Sequence, residues 1–209
     1  MKRSDRIIKR LVDWMVAGIY HRVEVRQPYD LTAAGPELAN ASHFGGFVDP
    51  LLLVYSMDRV PRFIARDVIW KIAPARWVMN WVGAIPVHKP EDKGARTSND
   101  QMFASTYKAL HDGELVCIFP EGVLTTDGEM QPFRGGMQKI ITRRAVPVVP
   151  LALRGLWGSL FSAHGGFFKG GPKRLLGRID VVAGSPIPAD QVTPESMATE
   201  IARLRGNRR

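Results

Sequence analysis

The 209-residue chain alternates between two apolar patterns, and this alternation restricts its fold more than any other feature. Short runs rich in Val, Ile and Phe predict strands, and longer runs with helical spacing predict helices between them. Strands are predicted at 22–26, 62–65, 84–88, 115–119, 146–153 and 179–183. Helices are predicted at 50–57, 68–82, 98–111, 135–144 and 194–205. This alternation is typical of an α/β fold, in which helices flank a mixed, mostly parallel central sheet.

One helix start carries a specific signal. Ser98 and Gln101 have capping-box spacing, so the sequence predicts that a helix begins at Ser98. Hydrophobic residues make up 45% of the chain and charged residues 23%, which is ordinary for a folded protein. We expect a single globular domain over residues 22–209, preceded by a separate N-terminal segment, residues 1–21.

That N-terminal segment predicts a basic amphipathic helix. Its apolar face comprises Ile8, Leu11, Val12, Met15 and Ile19. Its first ten residues are rich in Lys and Arg. Two positions are open for this helix. It could pack on the domain core, or it could lie in a membrane interface, where its basic residues meet anionic headgroups. No run approaches the roughly 18 to 20 apolar residues of a membrane span, and no signal-peptide cleavage site is recognised. We therefore expect the protein on the cytoplasmic side.

The net charge of +9 and the pI near 10.0 indicate an anionic partner. Nucleic acid, anionic lipid headgroups and phosphorylated small molecules are the candidate classes. Cys117 is the only cysteine, so no disulfide can form within the chain. It lies in an apolar run, which predicts a buried structural thiol rather than a reactive one.

The stretch ASHFGGFVDPLLL places a histidine and an aspartate on either side of a glycine pair. Six helical positions turn the chain through about 600°, so His43 and Asp49 can meet only if the chain between them is not helical. Gly45-Gly46 permits the reversal that this requires. Asp49 before Pro50 is equally typical of a helix N-cap, and one carboxylate can serve both purposes. These residues alone leave a catalytic pair and a simple cap both open.

Three further segments place notable groups at the ends of predicted strands. Glu121 follows a buried strand and suits either a hydroxylated substrate or the backbone N–H groups of its own loop. Lys89 and Arg134 are suited to holding a phosphate by charge-assisted hydrogen bonds, although a single surface cation is usually just solvated. Residues 146–151 suit either the wall of an acyl-chain site or an inner strand.

Taken in order, these four elements resemble the glycerolipid acyltransferase superfamily, which includes lysophosphatidate and glycerol-3-phosphate acyltransferases. The first block of that superfamily is a His and an Asp, here with five residues between them instead of the common four. The second is of the type Gly-x-Ile-x-x-x-Arg, matched by Gly83, Ile85 and, with lysine for arginine, Lys89. The third, Phe-Pro-Glu-Gly, is intact at 119–122, and the fourth is an apolar block ending in proline at 146–150.

The resemblance implies roles for these residues in catalysis. His43 would act as general base on the acceptor hydroxyl, and Asp49 would orient the imidazole and stabilise its charged form. The hydroxyl would attack the thioester of acyl-CoA or acyl carrier protein directly, with no acyl-enzyme. No metal and no cofactor other than this co-substrate are expected. The chain accordingly has no Gly-x-Ser-x-Gly motif.

The resemblance also implies a set of substrate-binding residues. Lys89 and Arg134, with Arg66, would bind the acceptor phosphate, and Glu121 with Gly122 would position the acceptor. The wall of the acyl site would include Val148 and Pro150.

The predicted function is acyl transfer to 1-acylglycerol-3-phosphate or a related lysophospholipid, in phospholipid biosynthesis or remodelling. Residues 22–209 would form the acyltransferase domain, attached peripherally or monotopically to the cytoplasmic face of the cell membrane. The longer His-to-Asp spacing and the GAIPV sequence keep glycerol-3-phosphate or dihydroxyacetone phosphate open as acceptors. A thioester hydrolase that uses the same base on water is a further alternative. The positive charge alone leaves a nucleic-acid-binding module open, but no recognised binding pattern appears, so we expect no nucleic-acid partner.

Overall fold

The computed structural model describes residues 3–19, 23–26, 37–41, 48–125, 127–157 and 178–207. The strands in these ranges are β1 Val23–Arg26, β2 Glu37–Ala41, β3 Arg62–Arg66, β4 Ile85–Val87, β5 Leu115–Ile118, β6 Val148–Arg154 and β7 Ile179–Ala183. The α-helices are α1 Arg3–Ile19, α2 Val48–Ser56, α3 Ala73–Trp81, α4 Ala95–His111, α5 Gly136–Arg143 and α6 Pro194–Arg205. In the same described ranges, 3₁₀ helices cover Asp67–Lys71 and Ala189–Gln191.

The strands form one sheet in the order β1-β7-β6-β2-β5-β3-β4. Every neighbouring pair is parallel except β6 with β7. The predicted α/β fold with a mixed, mostly parallel sheet is therefore confirmed. Because β2, β3, β4, β5 and β6 all run in the same direction, the segments that follow them leave the sheet at one end, which we call the carboxyl end.

Two hydrophobic cores cover the two faces of this sheet. The first core lies under α1 and α2, and the second lies under α4, α5 and α6. Strand β6 shows the division, since Val149 and Leu151 point into the first core while Val148 and Ala152 point into the second. This alternation follows from the two-residue period of a strand, and it explains why the central strands are apolar throughout.

The N-terminal helix is confirmed, but its buried face differs from the predicted one. Ile8, Val12 and Val16 are buried in the first core, whereas Leu11 is half exposed. The side chain of Ile19 lies outside the described residues. Helix α1 therefore carries a buried apolar face against α2, and a second, exposed apolar face next to it.

A polar contact also ties α1 to α2. The Lys9 ammonium donates to Asp13 Oδ1 and to the Tyr55 backbone carbonyl, each at 2.8 Å.

Within the described part of the chain, no helix combines the length and the apolar character that crossing a membrane requires.

Two predicted helices begin or continue differently in the structure. The helix predicted at 68–82 is interrupted at Ile72, whose backbone is extended, and α3 then starts with a proline in its first turn. Proline suits a helix start but not a helix interior, so the helix restarts there. Helix α4 begins at Ala95 after Gly94, so the prediction of a start at Ser98 is wrong. Ser98 is instead inside the helix, where its N–H donates to the Gly94 carbonyl.

Candidate active site

Residues from two of the four motif blocks, and Arg66, lie where strands end at the carboxyl end of the sheet. The Phe-Pro-Glu-Gly loop follows β5, Lys89 follows β4, and Arg66 is the last residue of β3. Strand β2, which lies next to β5, ends at Ala41, two residues before His43 in the chain. His43, Gly45 and Gly46 lie outside the described residues, so the contact between His43 and Asp49 stays a prediction.

Asp49 is fully buried in the first turn of α2. The helix begins at Val48, so Asp49 lies inside the helix rather than at the predicted N-cap position. A carboxylate in a first turn is favoured by the exposed N–H groups and the dipole of the helix. Burying a carboxylate is costly unless it has polar partners, and Asp49 makes hydrogen-bonding or electrostatic interactions in this position.

The Phe-Pro-Glu-Gly loop is closed by two hydrogen bonds to the segment that follows it. The Gln131 backbone N–H donates to Glu121 Oε2 at 2.8 Å, and the Arg134 backbone N–H donates to the Pro120 carbonyl at 2.9 Å. Glu121 itself is buried. Two roles were predicted for Glu121. The structure shows the contact that holds the loop, and the binding of the acceptor stays a prediction.

Gly122 and Arg134 are brought together at this loop. Gly122 has φ +64°, and a Cβ atom built on it would stand 3.2 Å from both Cδ and Nε of Arg134. The Arg134 side chain therefore lies across the glycine backbone. Within the part of the chain that the structure describes, the Arg134 guanidinium has no carboxylate partner. It is thus suited to binding an anionic group of a substrate.

Arg66 and Lys89 form a second group, which is joined through Asp92. The Lys89 backbone N–H donates to Asp92 Oδ2 at 2.8 Å, and the same oxygen lies 3.6 Å from Arg66 Nη2. The Lys89 ammonium lies 3.7 Å from Glu91 Oε1. Both cations already have carboxylate neighbours, so a phosphate bound here would compete with these acidic side chains.

Two side chains of this second group, Asp67 and His88, were not predicted from the sequence. His88 Nε2 lies 3.7 Å from Asp67 Oδ2, and Arg66 Nε lies 3.7 Å from Asp67 Oδ1. Each directly follows a strand, β3 or β4, and that position is the signal that would have found them. Among the residues described, no group of three or more His, Cys, Asp or Glu side chains is placed to hold a metal ion.

Gly83, the first residue of the second motif block, has a structural use. Its φ is +65°, and a Cβ atom at this position would stand 2.8 Å from Arg62 Nη1. Arg62 forms a two-point ion pair with Glu114, in which Nη2 donates to Oε1 at 2.9 Å and Nε donates to Oε2. The hydrogen bond to Glu114 raises the pKa of Arg62 above its ordinary value. Arg62 thereby braces the turns that precede β4 and β5.

Val148 and Pro150, the predicted acyl-site wall, lie on β6 and face the second core. Val148 is fully buried there, and the Pro150 ring packs so closely that a Cβ on Gly184 would stand 2.8 Å from Pro150 Cγ. Asp49 belongs to α2, which covers the opposite face of the sheet. The structure therefore does not bring these two residues together with Asp49, and their role at an acyl site stays a prediction.

Known proteins resemble this chain in sequence and in fold. The sequence model of the Acyltransferase family matches residues 22–154, which include all four motif blocks. The chloroplastic 1-acyl-sn-glycerol-3-phosphate acyltransferase BAT2 of Brassica napus is 24% identical over 165 residues, which cover 78% of this chain and 46% of that protein. The 1-acyl-sn-glycerol-3-phosphate acyltransferase alpha of Homo sapiens is 23% identical over 185 residues, covering 88% of this chain and 61% of that protein.

Among solved structures, the fold is similar to that of the 1-acyl-sn-glycerophosphate (LPA) acyltransferase PlsC from Thermotoga maritima. The two superpose with a TM-score of 0.65 over 96% of this chain and 76% of that one, at 17% sequence identity. This likeness shows a shared fold. The chain spans about half the length of the plant relatives that it matches.

Proposed function

Since the chain belongs to the acyltransferase family, we propose that it moves a fatty acyl group to the free hydroxyl of 1-acylglycerol-3-phosphate or a related lysophospholipid. The acyl donor is acyl-CoA or acyl carrier protein, and the reaction serves phospholipid biosynthesis or remodelling. One observation carries the proposal. The Phe-Pro-Glu-Gly loop, with Arg134 across Gly122, follows β5, and the neighbouring parallel strand β2 ends at Ala41, two residues before His43 in the chain. The names of the curated relatives support lysophosphatidate as the acceptor.

In the proposed mechanism, His43 takes the proton from the acceptor hydroxyl as that oxygen bonds to the thioester carbonyl carbon. The carbon–sulfur bond then breaks, and the leaving thiolate receives the proton from the His43 imidazolium. Asp49 orients the imidazole and stabilises its charged form. The reaction needs no acyl-enzyme, and Cys117 is ill suited to form one because it is fully buried and burial raises the pKa of its thiol.

Arg134 is the principal phosphate ligand in this proposal, because its guanidinium has no carboxylate partner among the described residues. Lys89 and Arg66 add positive charge from the neighbouring strands, although Asp92 already lies close to both. Glu121 holds the Phe-Pro-Glu-Gly loop through its hydrogen bond to the Gln131 N–H, and in this proposal it also positions the acceptor.

We propose that α1 attaches the protein to an anionic membrane surface, peripherally or monotopically. Ile7, Leu11 and Trp14 recur at helical spacing on its exposed face, and Trp14 is 78% exposed. Arg6 and Arg10 flank this stripe and are exposed. An apolar stripe with basic flanks suits the boundary between headgroups and acyl chains, and the anionic cytoplasmic leaflet is the surface that favours such charge.

To test the function, purified protein is incubated with a labelled acyl donor, either acyl-CoA or acyl carrier protein, and with a panel of acceptors. The panel contains lysophosphatidate, glycerol-3-phosphate, dihydroxyacetone phosphate and no acceptor, and lipid products are identified by mass. We expect acylated product with lysophosphatidate and little thiol release without an acceptor. Thiol release that does not depend on an acceptor would instead indicate a thioester hydrolase.

The GAIPV sequence and the five residues between His43 and Asp49 favour a second candidate acceptor, glycerol-3-phosphate. Product formed from glycerol-3-phosphate and not from lysophosphatidate would replace the first proposal with this one. Binding to duplex DNA and RNA, measured beside anionic liposomes over a range of salt, tests the non-enzymatic alternative. Tight nucleic-acid binding with no liposome partitioning and no acyl transfer would overturn both enzymatic proposals.

A further inference from the structure

A second exposed apolar surface lies on residues 67–81, which we call the Trp77 segment. This segment contains the 3₁₀ helix Asp67–Lys71 and helix α3. Its large apolar side chains Val68, Ile72 and Trp77 are exposed by 49%, 60% and 66%. Single exposed apolar residues are common, but several of this size within ten positions of the chain indicate a surface that meets an apolar partner.

The fold holds Trp77 in this exposed position. The Trp70 ring N–H donates to Asn80 Oδ1 at 2.8 Å, which ties the 3₁₀ helix to α3. Trp77 stacks on Trp81 with ring centroids 5.3 Å apart, and Trp81 packs against the first core. The exposure of Trp77 is therefore imposed by a packed neighbour and a hydrogen bond.

The charges of the segment indicate which partner it meets. Lys71 and Arg76 are exposed beside the apolar side chains, and in the described ranges neither has a carboxylate partner. Tryptophan with flanking cations is the combination that suits a membrane interface, where the indole lies at headgroup level and the cations meet anionic lipid. A chain with net charge +9 adds a general attraction to the same surface.

The position of the segment links it to the candidate active site. It begins at Asp67, directly after Arg66, and so leaves the sheet at the carboxyl end. Through Trp81 it packs on the first core, the core that also contains the buried face of α1. The exposed surfaces of α1 and of the Trp77 segment therefore belong to helices on the same face of the sheet.

We propose that the Trp77 segment is a second membrane-docking element, which inserts Ile72 and Trp77 into the interface of an anionic bilayer. Lys71 and Arg76 then contact the headgroups. This inference rests on the membrane attachment in the proposed function and extends it, because docking here brings the carboxyl end of the sheet to the lipid surface. A lysophospholipid acceptor then reaches the site from the bilayer without crossing water.

The experiment measures cosedimentation with phosphatidylcholine vesicles that contain phosphatidylglycerol. It compares the full chain with the double variant Ile72→Ser/Trp77→Ser and with Val25→Ser. Val25 is also an exposed apolar residue, but it lies on β1 at the far end of the sheet from β4. We expect the double variant to bind about tenfold more weakly or worse, because two interfacial apolar side chains are lost, and Val25→Ser to bind as the unchanged chain does.

The single variant Ile72→Ser is the control for loss of folding, since the Ile72 side chain is exposed. It should keep the unfolding temperature of the unchanged chain and still bind vesicles several-fold more weakly. A double variant that binds vesicles as the unchanged chain does would overturn the inference, as would an unchanged chain that does not bind at all. A change in self-association with no change in vesicle binding would also overturn it, in favour of a protein partner.

Parallel acyl-transfer assays separate this inference from the proposed function. One outcome is that the unchanged chain transfers acyl groups while its vesicle binding does not depend on Ile72 and Trp77. This outcome would support the proposed function and overturn the inference. Vesicle binding that depends on both residues, with no transfer to any acceptor, would overturn the function and support the docking element. With both correct, the double variant loses transfer to acceptor in vesicles but keeps transfer to detergent-dispersed acceptor.

Discussion

The Arg134 side chain lies across the α-carbon of Gly122, so close that a Cβ atom at position 122 would stand 3.2 Å from Arg134 Cδ and Nε. Gly122 also has φ +64°, a conformation that residues with a Cβ atom rarely adopt. The glycine of the Phe-Pro-Glu-Gly block thus serves two physical needs, a left-handed turn and the close approach of an arginine. Its effect on function should therefore act through the position of Arg134.

Gly122→Ala tests this relationship, and Gly113→Ala is its matched control. Gly113 has a similar φ of +76° but nothing within 4 Å of an added Cβ. Both variants should lose about 1 kcal/mol of unfolding free energy, the usual cost of a left-handed non-glycine residue. Only Gly122→Ala should also lower acyl transfer, by about tenfold or more, because it displaces Arg134. Equal transfer rates in the two variants would contradict the proposed use of Arg134.

Arg134→Gln should raise the KM for lysophosphatidate by about 10- to 100-fold, since a charge-assisted hydrogen bond contributes about 1.5 to 3 kcal/mol. Arg96→Gln is the control, because Arg96 is exposed on α4, in the layer that covers the second core. Initial rates over a range of acceptor concentration check this prediction. A KM that stays unchanged in Arg134→Gln would show that another cation binds the phosphate.

Glu121→Ala should lower the unfolding free energy by about 1 to 3 kcal/mol, because the hydrogen bond from the Gln131 N–H to the buried Glu121 carboxylate is lost. Glu121→Gln keeps an oxygen acceptor for that N–H and should lose less. Denaturant unfolding measures both. If Glu121 also binds the acceptor, Glu121→Gln lowers transfer while keeping most of the stability. A Gln variant as unstable as the Ala variant would argue against the hydrogen bond as the main contribution of Glu121.

The Cys117 thiol should react slowly with a maleimide in the folded protein. It is fully buried, and burial raises the pKa of the thiol, so the reactive thiolate is scarce at neutral and moderately alkaline pH. Labelling in denaturant should proceed at the rate of a free thiol, and Cys117→Ala should keep acyl transfer. Rapid labelling of folded protein, or loss of transfer in Cys117→Ala, would point to an acyl-thioester on this residue.

The sequence predicted the strands that are rich in β-branched residues, because such residues favour strands over helices. It missed β2, since Glu37-Leu-Ala-Asn-Ala contains no β-branched or aromatic residue, and only its place between β5 and β6 makes it a strand. The helix start predicted at Ser98 was wrong because Gly94 ends the preceding turn earlier, and a capping pair inside a helix carries no boundary information.

The arrangement of the candidate site was likewise predicted only in part. The sequence grouped Arg134 with Lys89 and did not predict the contact of Arg134 with Gly122, which depends on the path of the chain between residues 122 and 134. It could not tell which residues of β6 face which core, and Val148 and Pro150 proved to face the core opposite α2. The side to which a strand residue points depends on its register with neighbouring strands, which a single sequence does not determine. Asp67 and His88 meet only through the pairing of β3 with β4.

The assignment of His43 as general base is tested by comparing acyl transfer to 1-acylglycerol-3-phosphate by the unchanged chain and by His43→Ala. Loss of a general base should lower the rate by about 100- to 10,000-fold. The unfolding temperature should stay the same, so that the loss reports chemistry rather than folding. Near-normal turnover by folded His43→Ala would contradict the account, because no base would then be assigned to the acceptor hydroxyl.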